Sequence, residues 1–357
     1  MKLHRLNKIA PPARNAARDH SAAAFCAIGA LAKSLLCFAL TFFFLSAFAL
    51  GIGASPAQAS ELKPLRIVIG YPPGGVLDIF ARSLAEEIGK REGRPVVVVN
   101  KPGASSLLAI NDVAREKPDG NTMLITHSMP FTIYPFTYDN LQSAQDDFAS
   151  VAYLANIPIV WTAGPEQPFD TVAQYIDWLK KNPNEGAVGL ITLGGQPHFA
   201  LLQMASQLGV DAYPVPYPGT PQLVNDEIGG NIATGILAIG PQIDLYRAGK
   251  IKILGVTGKS QVSFLPKVRT LSEQGVPGFD NVDLWYGAYF PRNTPKEIVQ
   301  KYEKMLIDIV GQDALKQKFE KQALILEGKP AAEMSKLLDQ ERSGWEPIIK
   351  KTGFRAQ

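Results

Sequence analysis

Short runs of β-branched residues alternate with segments of helical period from residue 63 onward. The run Leu65–Gly70 predicts a buried strand that ends at glycine, and Asp78–Lys90 places its apolar residues on one helical face. The same reasoning predicts strands at 95–99 and 122–126 and a helix at 109–115. This β-α-β-α-β order favours a mostly parallel sheet with right-handed crossovers.

A second series of the same kind starts near Asn156 and predicts a second lobe. Its helices are predicted at 171–181, 197–208 and 221–228, and its strands at 187–192, 211–216 and 251–257. One strand from Val282 and then helices complete the chain. We therefore expect an α/β protein with two doubly wound lobes joined by two crossover segments. The expected boundaries are 60–158 with 281–357 for lobe 1, and 159–280 for lobe 2.

The first 59 residues have the pattern of a secretory signal. Basic residues come first, the uncharged apolar run Leu35–Gly51 follows, and Ala57 and Ala59 stand at the small-residue positions of a signal peptidase site. We expect residues 1–59 to be a signal peptide that is removed on export to the periplasm. A retained membrane anchor is the alternative, because the apolar run has nearly the length of a spanning helix.

Removing this leader changes what the composition means. The whole chain has a formal net charge of +3, but the excess of basic residues lies in the leader, so no nucleic-acid partner is expected. Both cysteines, Cys26 and Cys37, also lie there, which excludes disulfides and cysteine nucleophiles from the mature chain. The two remaining histidines, His127 and His198, are too few for a histidine-rich zinc site. No metal and no cofactor are expected.

The turn after the first strand carries the most informative chemistry. The segment Tyr71–Gly75 (YPPGG) lets the backbone turn tightly before a helix that begins near Val76. Free N–H groups at such a helix start attract anions. Asp78 is expected to cap the helix or to accept a hydrogen bond from a ligand. A plain strand-to-helix turn without a ligand is the alternative.

Two further glycine loops follow strands of the second lobe. Thr192–His198 (TLGGQPH) places paired glycines before a helix, where His198 either adds a charge or simply packs. Pro216–Thr220 (PYPGT) makes Thr220 a natural N-cap, with Pro221 at the first helical position. All three loops should lie at the carboxyl ends of parallel strands, where open α/β sheets bind ligands. The sequence therefore predicts a ligand cleft between the lobes.

The residues expected to contact a ligand come from these loops and from two aromatic segments. They are Tyr71, Gly74, Gly75, Val76, Asp78, Ser128, Thr192, Gly194, Gly195, Gln196, His198, Tyr217, Gly219, Thr220 and Trp285. Enzyme signatures are missing from the sequence, which contains no G-x-S-x-G elbow, no H-E-x-x-H motif and no well-placed pair of acids. A binding protein is therefore expected, and a periplasmic α/β enzyme is the remote alternative.

Eight strings taken together resemble those of a known family. They are YPPGGVLDIFAR, NKPGA, KPDGNTML, DDFASVAYLA, PVPYPGT, YRAGKIKILGVT, FLPKVRTLSEQGVPGF and LWYGAYFPRNTPKEIV. Over Lys63–Gly353 the chain resembles the Bug-type substrate-binding proteins of tripartite tricarboxylate transporters. The resemblance implies a type II periplasmic-binding fold whose hinged lobes hold a small carboxylate without catalysis.

The resemblance also implies what the protein works with. The expected partners are the membrane permease subunits of a tripartite transporter, and the protein itself is expected to be a monomer. The alternative is that the ligand-bound form feeds a membrane sensor kinase and so acts in signalling. The resemblance does not separate these two roles.

One departure from the family pattern bears on the ligand. Where members often carry Phe-Asp-Asn, an ungapped match places Ile236, Leu237 and Ala238, so a partner for a ligand ammonium is lost. Aromatic residues favour flat, apolar ligands. The aromatic candidates to wall the cleft are Phe131, Tyr134, Phe136, Tyr217 and Trp285. We expect a small carboxylate with an apolar or aromatic body, or a dicarboxylic acid, and not a free amino acid.

Overall fold

The protein is known from a computed structural model, which describes residues 63–139, 141 and 145–356. The predicted signal peptide, residues 1–59, lies outside the described residues. The described chain forms two β-sheets flanked by helices, as expected for an α/β protein.

Most elements fall within a few residues of the predicted positions. The strands are β1 Leu65–Ile69, β2 Val96–Asn100, β3 Thr122–His127, β4 Phe148–Ile157, β5 Ile159–Ala163, β6 Ala187–Leu190, β7 Tyr213–Pro216, β8 Thr234–Ala238, β9 Lys252–Val256, β10 Leu284–Pro291 and β11 Ile325–Pro330. The helices are α1 Val76–Glu92, α2 Leu107–Ala114, α3 Met129–Thr132, α4 Tyr134–Thr137, α5 Val172–Leu179, α6 Gln196–Leu208, α7 Thr220–Ile228, α8 Ile243–Arg247, α9 Lys296–Val310, α10 Asp313–Glu320 and α11 Ala331–Thr352. The sequence did not predict the strands β4, β5, β8 and β11 or the short helices α3, α4 and α8.

The larger sheet has six strands in the order β11-β4-β10-β3-β1-β2. Strand β1 pairs in parallel with β2 and β3, so that Ile67 lies beside both Val98 and Met123. Strand β10 runs antiparallel between β3 and β4, and β11 runs antiparallel to β4. The predicted β-α-β series therefore forms the parallel half of this sheet.

The smaller sheet has five strands in the order β7-β6-β8-β5-β9. Strand β6 pairs in parallel with β7 and β8, whereas β5 runs antiparallel to β8 and β9. Both sheets are thus mixed, although the sequence predicted mostly parallel ones. The difference arises because β5 and β10 follow the crossings between the sheets and belong to no β-α-β unit.

The two crossings between the sheets are joined by side-chain hydrogen bonds. The chain crosses once at Pro158 and returns between Val256 and Leu284. The carboxylate of Asp283 accepts hydrogen bonds from the Thr257 hydroxyl and from Asn156 Nδ2, the latter at 3.1 Å. Burial raises the pKa of Asp283, and these bonds offset part of the cost of its charge. The two crossings therefore lie side by side and are joined by these hydrogen bonds.

The last helix, α11, packs against both sheets. Met334 and Leu338 belong to an apolar cluster of the larger sheet. Trp345 and Ile349, further along the helix, belong to the core of the smaller sheet. The helix is therefore shared between the two cores, whereas the sequence assigned it wholly to lobe 1.

Membrane-spanning helices and metal-binding clusters are both absent from the described chain. None of its helices combines the length and the apolar character needed to cross a membrane. The same residues contain no cluster of three His, Cys, Asp or Glu side chains placed to hold a metal ion.

A buried glutamate in the smaller sheet makes stability depend on pH. Glu227 on α7 is 1% exposed, and its Oε1 accepts a hydrogen bond from Thr162 Oγ1 at 2.7 Å. Burial raises the pKa of Glu227 to about 8. The unfolded chain releases this proton at about pH 4.3, so between that value and about pH 8 the folded state binds more protons. The free energy of unfolding should therefore fall as pH rises through this window.

We expect Glu227→Gln to reduce this pH dependence, to which the buried Glu341 also contributes, and to raise the melting temperature at about pH 8. Each pKa unit of difference corresponds to about 1.4 kcal/mol, and the amide keeps the hydrogen bond from Thr162. Thermal unfolding at about pH 5 and about pH 8 checks this. Glu333→Gln changes an exposed glutamate and serves as the control. Parallel pH profiles for Glu227→Gln and the unchanged protein would contradict the prediction.

Candidate functional site

Two adjoining cavities lie where the ends of the two sheets face each other. The central cavity has a volume of about 270 Å³ and the flanking cavity about 380 Å³. They share Ile157, Thr220, Ala238 and Tyr286, and together they are called the cleft. A larger cavity of about 490 Å³ lies against α11, but none of the predicted glycine loops reaches it. The cleft is therefore the candidate functional site.

Residues from both sheets line the cleft, and most are apolar. The central cavity is lined by Tyr71, His127, Met129, Ile157, Ile159, Leu190, Ile191, Thr192, Gly195, Pro197, Thr220, Ile236, Leu237, Ala238, Leu284 and Tyr286. The flanking cavity adds Gly74, Gly75, Val76, Ile79, Pro221, Gly240, Gln242, Gln322, Ala323 and Leu324. Among these described lining residues there is no Asp, Glu, Lys or Arg. A ligand would meet neutral donors and apolar walls.

The loop after β1 brings its backbone to the flanking cavity. Gly74 has a φ of 87°, a conformation that glycine adopts without strain, and Gly75 at φ −76° is the residue before the first turn of α1. Gly74, Gly75 and Val76 all line the flanking cavity. Tyr71, from the same loop, lines the central cavity. The structure thus brings four predicted residues of this loop to the cleft.

Asp78 shapes this loop and does not line the cleft. Arg82 donates two hydrogen bonds to its carboxylate, each of 2.9 Å, and Asn100 Nδ2 donates another of 2.8 Å. The Gly74 N–H donates to Oδ2 at 3.0 Å, which fixes the turn. The hydrogen bonds from Arg82, aided by those from Gly74 and Asn100, lower the pKa of Asp78 to about 2. Its acceptors are therefore occupied within the protein.

The loop after β6 approaches the cleft from the other sheet. Thr192 and Gly195 line the central cavity, and α6 begins directly after Gly195. Gly194 has a φ of 78° and lies against the ring of Phe354, where a Cβ would come within 2.7 Å of a ring carbon. The loop is therefore held by the chain that follows α11.

The predicted site residues His198 and Gln196 lie at the start of α6 and have buried side chains. His198 is buried, and its Nδ1 accepts a hydrogen bond from the Gly194 N–H at 3.0 Å. Burial lowers the pKa of His198, so the ring is neutral and adds no charge to the cleft. Gln196 is fully buried, and neither atom of its amide has a partner among the described residues. Neither side chain lines the cleft.

The third loop places Thr220 in both cavities. Helix α7 begins at Thr220, and Gly219 before it takes the N-cap position without a side-chain hydrogen bond. This corrects the prediction that Thr220 is the N-cap, because the helix starts one residue earlier than expected. Tyr217 lies outside the cleft, where its hydroxyl donates to Asp226 Oδ2 at 2.9 Å. Burial, with Asp226 beside it, raises the pKa of Tyr217 to about 12.

The starts of α1, α6 and α7 therefore converge on the cleft. Each helix start carries unpaired backbone N–H groups and the positive end of the helix dipole. With no charged side chain in the described lining, these three ends set the electrostatic character of the cleft. The arrangement can hold an anion with neutral donors.

Ser128 and Trp285 lie outside the cleft. Ser128 is fully buried, and its N–H donates to the Trp285 carbonyl oxygen at 3.1 Å. The Trp285 ring stacks on Tyr153, and its Nε1–H donates to Glu341 Oε1 at 2.7 Å. Trp285 packs in an apolar cluster with Met334 and Leu338, and neither Ser128 nor Trp285 lines either cavity. The other aromatic candidates, Phe131, Tyr134 and Phe136, do not line the cleft either.

The rings that do line the cleft are Tyr71, His127 and Tyr286, and the last two were not among the predicted site residues. His127 is the final residue of β3 and pairs with Tyr286 on β10. The sequence could have indicated His127, because a residue at the carboxyl end of a parallel strand lies at the ligand-binding edge of the sheet. Ile236, Leu237 and Ala238 also line the central cavity, so the departure from the family pattern lies in the cleft.

Comparisons with known proteins agree with this architecture. The chain is 33% identical over 261 residues to the UPF0065 protein in the gbd 5′ region of Cupriavidus necator, covering 71% of this chain and 77% of that protein. The structure of the periplasmic binding protein BugD matches with a TM-score of 0.68 at 26% identity, covering 83% of this chain and 99% of that one. An R. palustris protein, Rpa4515 with adipate, matches with a TM-score of 0.72 at 26% identity, covering 82% and 98%.

These solved structures are periplasmic binding proteins with the same two-lobe fold, which confirms the predicted fold class. The family model described as "Tripartite tricarboxylate transporter family receptor" matches residues 80–354, well over half of the chain. The chain therefore belongs to the tripartite tricarboxylate transporter receptor family of periplasmic solute-binding proteins.

Proposed function

We propose that this protein captures a small carboxylate in the cleft and delivers it to the membrane subunits of a tripartite transporter. The observation that carries the proposal is the convergence of three helix starts on a cavity whose described lining has no charged side chain. Neutral N–H donors suit an anion, and apolar walls suit the carbon body of an organic acid. The adipate of the R. palustris relative belongs to the same chemical class.

Capture works by closure of two lobes. Lobe 1 is residues 60–158 with 281–357, lobe 2 is residues 159–280, and the hinge is the hydrogen-bonded pair of crossings at Asn156, Thr257 and Asp283. Closure removes the ligand from water and strengthens each hydrogen bond to it. No reaction step is assigned, since the family consists of binding proteins. The protein acts as a monomer in the periplasm, after removal of residues 1–59.

A ligand screen tests the binding part of this proposal. Thermal shift assays with benzoate, adipate, citrate, aspartate and glutamate should show stabilisation by one or more of the first three acids. A ligand at about one hundred times its Kd stabilises the folded state by about 2.7 kcal/mol. Native mass spectrometry of the protein as purified provides an independent readout. The function would be refuted if no carboxylate raised the melting temperature and no bound carboxylate were found by mass spectrometry.

The delivery part needs its own experiment. Deleting the gene should abolish uptake of the identified carboxylate by cells, and the full chain supplied from a plasmid should restore it. Unchanged uptake after deletion would contradict delivery while leaving carboxylate binding intact.

A further inference from the structure

His127 stands at the point where both sheets contribute to the central cavity. It is the last residue of β3, and its neighbour across the sheet is Tyr286 on β10. The side chain is 4% exposed and shares the cavity with Thr192 and Gly195 from the smaller sheet. A ligand held between the two sheets would therefore lie against this imidazole.

The imidazole has no polar partner in the part of the chain that the structure describes. Its Nδ1 is buried and has no hydrogen-bond partner among the described residues. Two tyrosine rings contact it edge-on, Tyr71 at 5.8 Å and Tyr134 at 6.3 Å between ring centroids. Buried polar groups are nearly always paired in folded proteins, so an imidazole without a polar partner in a cavity wall is a candidate to bind a ligand.

Among the described residues, no charged group acts on His127. The titratable groups that face it are the phenols of Tyr71, Tyr134 and Tyr286, and burial raises the pKa of the latter two further above their usual range. Burial alone lowers the pKa of His127 to about 4, so the ring is neutral at neutral pH. Among the described lining residues it is the side chain that can become a cation at the lowest cost.

We propose that His127 is a ligand-binding residue whose imidazole donates a hydrogen bond to a carboxylate oxygen of the ligand and takes up a proton from solvent as the complex forms. This rests on the proposed carboxylate-binding function. The negative charge of the ligand favours the imidazolium, because an opposite charge within a few ångströms stabilises the charged form. The cleft thus acquires a positive charge when an anion enters and stays neutral when empty.

Two consequences distinguish this role from simple packing. Binding takes up close to one proton in the window between the pKa of His127 in the empty protein, about 4, and its raised value in the complex. Carboxylate affinity therefore rises as pH falls through this window, by up to tenfold for each pH unit below the raised pKa, and is independent of pH above it. A neutral hydrogen-bond donor at the same position would produce neither effect.

Isothermal titration calorimetry with adipate and benzoate tests the proposal. Titrations at about pH 6.5, in two buffers of different ionisation enthalpy, give the number of protons taken up on binding. We expect uptake approaching one proton in the unchanged protein and none at this site in His127→Gln, with about tenfold weaker binding. Glutamine keeps an N–H donor but cannot take up a proton. Proton uptake that remained in this variant would therefore belong to another group, such as the ligand. His198→Gln should retain the uptake, whatever its affinity.

The possible outcomes separate this inference from the proposed function. Carboxylate binding without proton uptake, or the same uptake in His127→Gln, would overturn the role of His127 and leave the function standing. Failure of both probes and of the wider ligand screen would overturn the function itself. NMR of the imidazole C–H signals in the unchanged protein gives the answer without a variant. When adipate or benzoate binds, the His127 C–H signals should move to the chemical shifts of a protonated imidazole. Chemical shifts of a neutral imidazole in the complex would refute the proposal.

Discussion

Gly75→Pro should weaken carboxylate binding by more than tenfold, which corresponds to about 1.4 kcal/mol. Gly75 lines the flanking cavity, and its backbone N–H has no acceptor among the described residues. Its φ of −76° is one that proline adopts, and proline is tolerated at a helix start. The substitution therefore removes one N–H from the cleft with little strain on the fold.

Gly75→Ala is the matched control for this substitution. A Cβ at Gly75 would have the Pro72 carbonyl oxygen as its nearest neighbour, at 3.8 Å, so alanine fits and keeps the N–H. Calorimetry with the best acid from the screen should give near-normal affinity for alanine and a large loss for proline, with similar melting temperatures. Equal affinities for the proline variant and the unchanged protein would show that this N–H does not bind the anion.

The sequence predicted the β-α-β units because their strands are β-branched runs and their helices have one apolar face. Strand β4 escaped prediction for the opposite reason. Its ten residues include three alanines, Ala149, Ala152 and Ala155, which have low strand propensity. Pairing with β10 and β11 on its two sides makes it a strand, and neither neighbour is local in sequence. A local sequence pattern does not predict pairing between strands that are distant in the sequence.

The glycine loops were predictable because paired glycines before a helix have a direct physical meaning. Of the three rings of the cleft, Tyr71 was predicted with its loop, whereas His127 and Tyr286 were missed because side chains alternate along a strand. The sequence singled out Ser128 and Trp285, and the residues that line the cavity are their chain neighbours His127 and Tyr286. A shift of one residue moves a side chain to the opposite face of a sheet. The position of the second sheet decides which face of the strand borders the cleft. A short stretch of sequence does not predict how the two sheets are placed.

Leu237→Asp should reduce the affinity for simple carboxylates on the order of a hundredfold. Leu237 lines the central cavity, is 2% exposed, and pairs with Val160 across β8 and β5. A carboxylate at this position faces the anionic group of the ligand across a cavity that has no charged side chain in its described lining, and like-charge juxtaposition costs several kcal/mol. The same carboxylate supplies a partner for an ammonium group. We therefore expect the variant to gain affinity for aspartate and glutamate relative to adipate and benzoate.

Leu237→Asn isolates the effect of charge in this experiment. Asparagine is close to aspartate in shape and carries a similar penalty for placing a polar group in an apolar wall, but it has no charge. The ratio of adipate affinity to glutamate affinity, measured by calorimetry for both variants, should fall strongly for aspartate and little for asparagine. Melting temperatures without ligand show whether both variants are folded. If the unchanged protein bound glutamate as tightly as adipate, the apolar wall at Ile236–Ala238 would not exclude an ammonium, and the interpretation of Leu237 would be wrong.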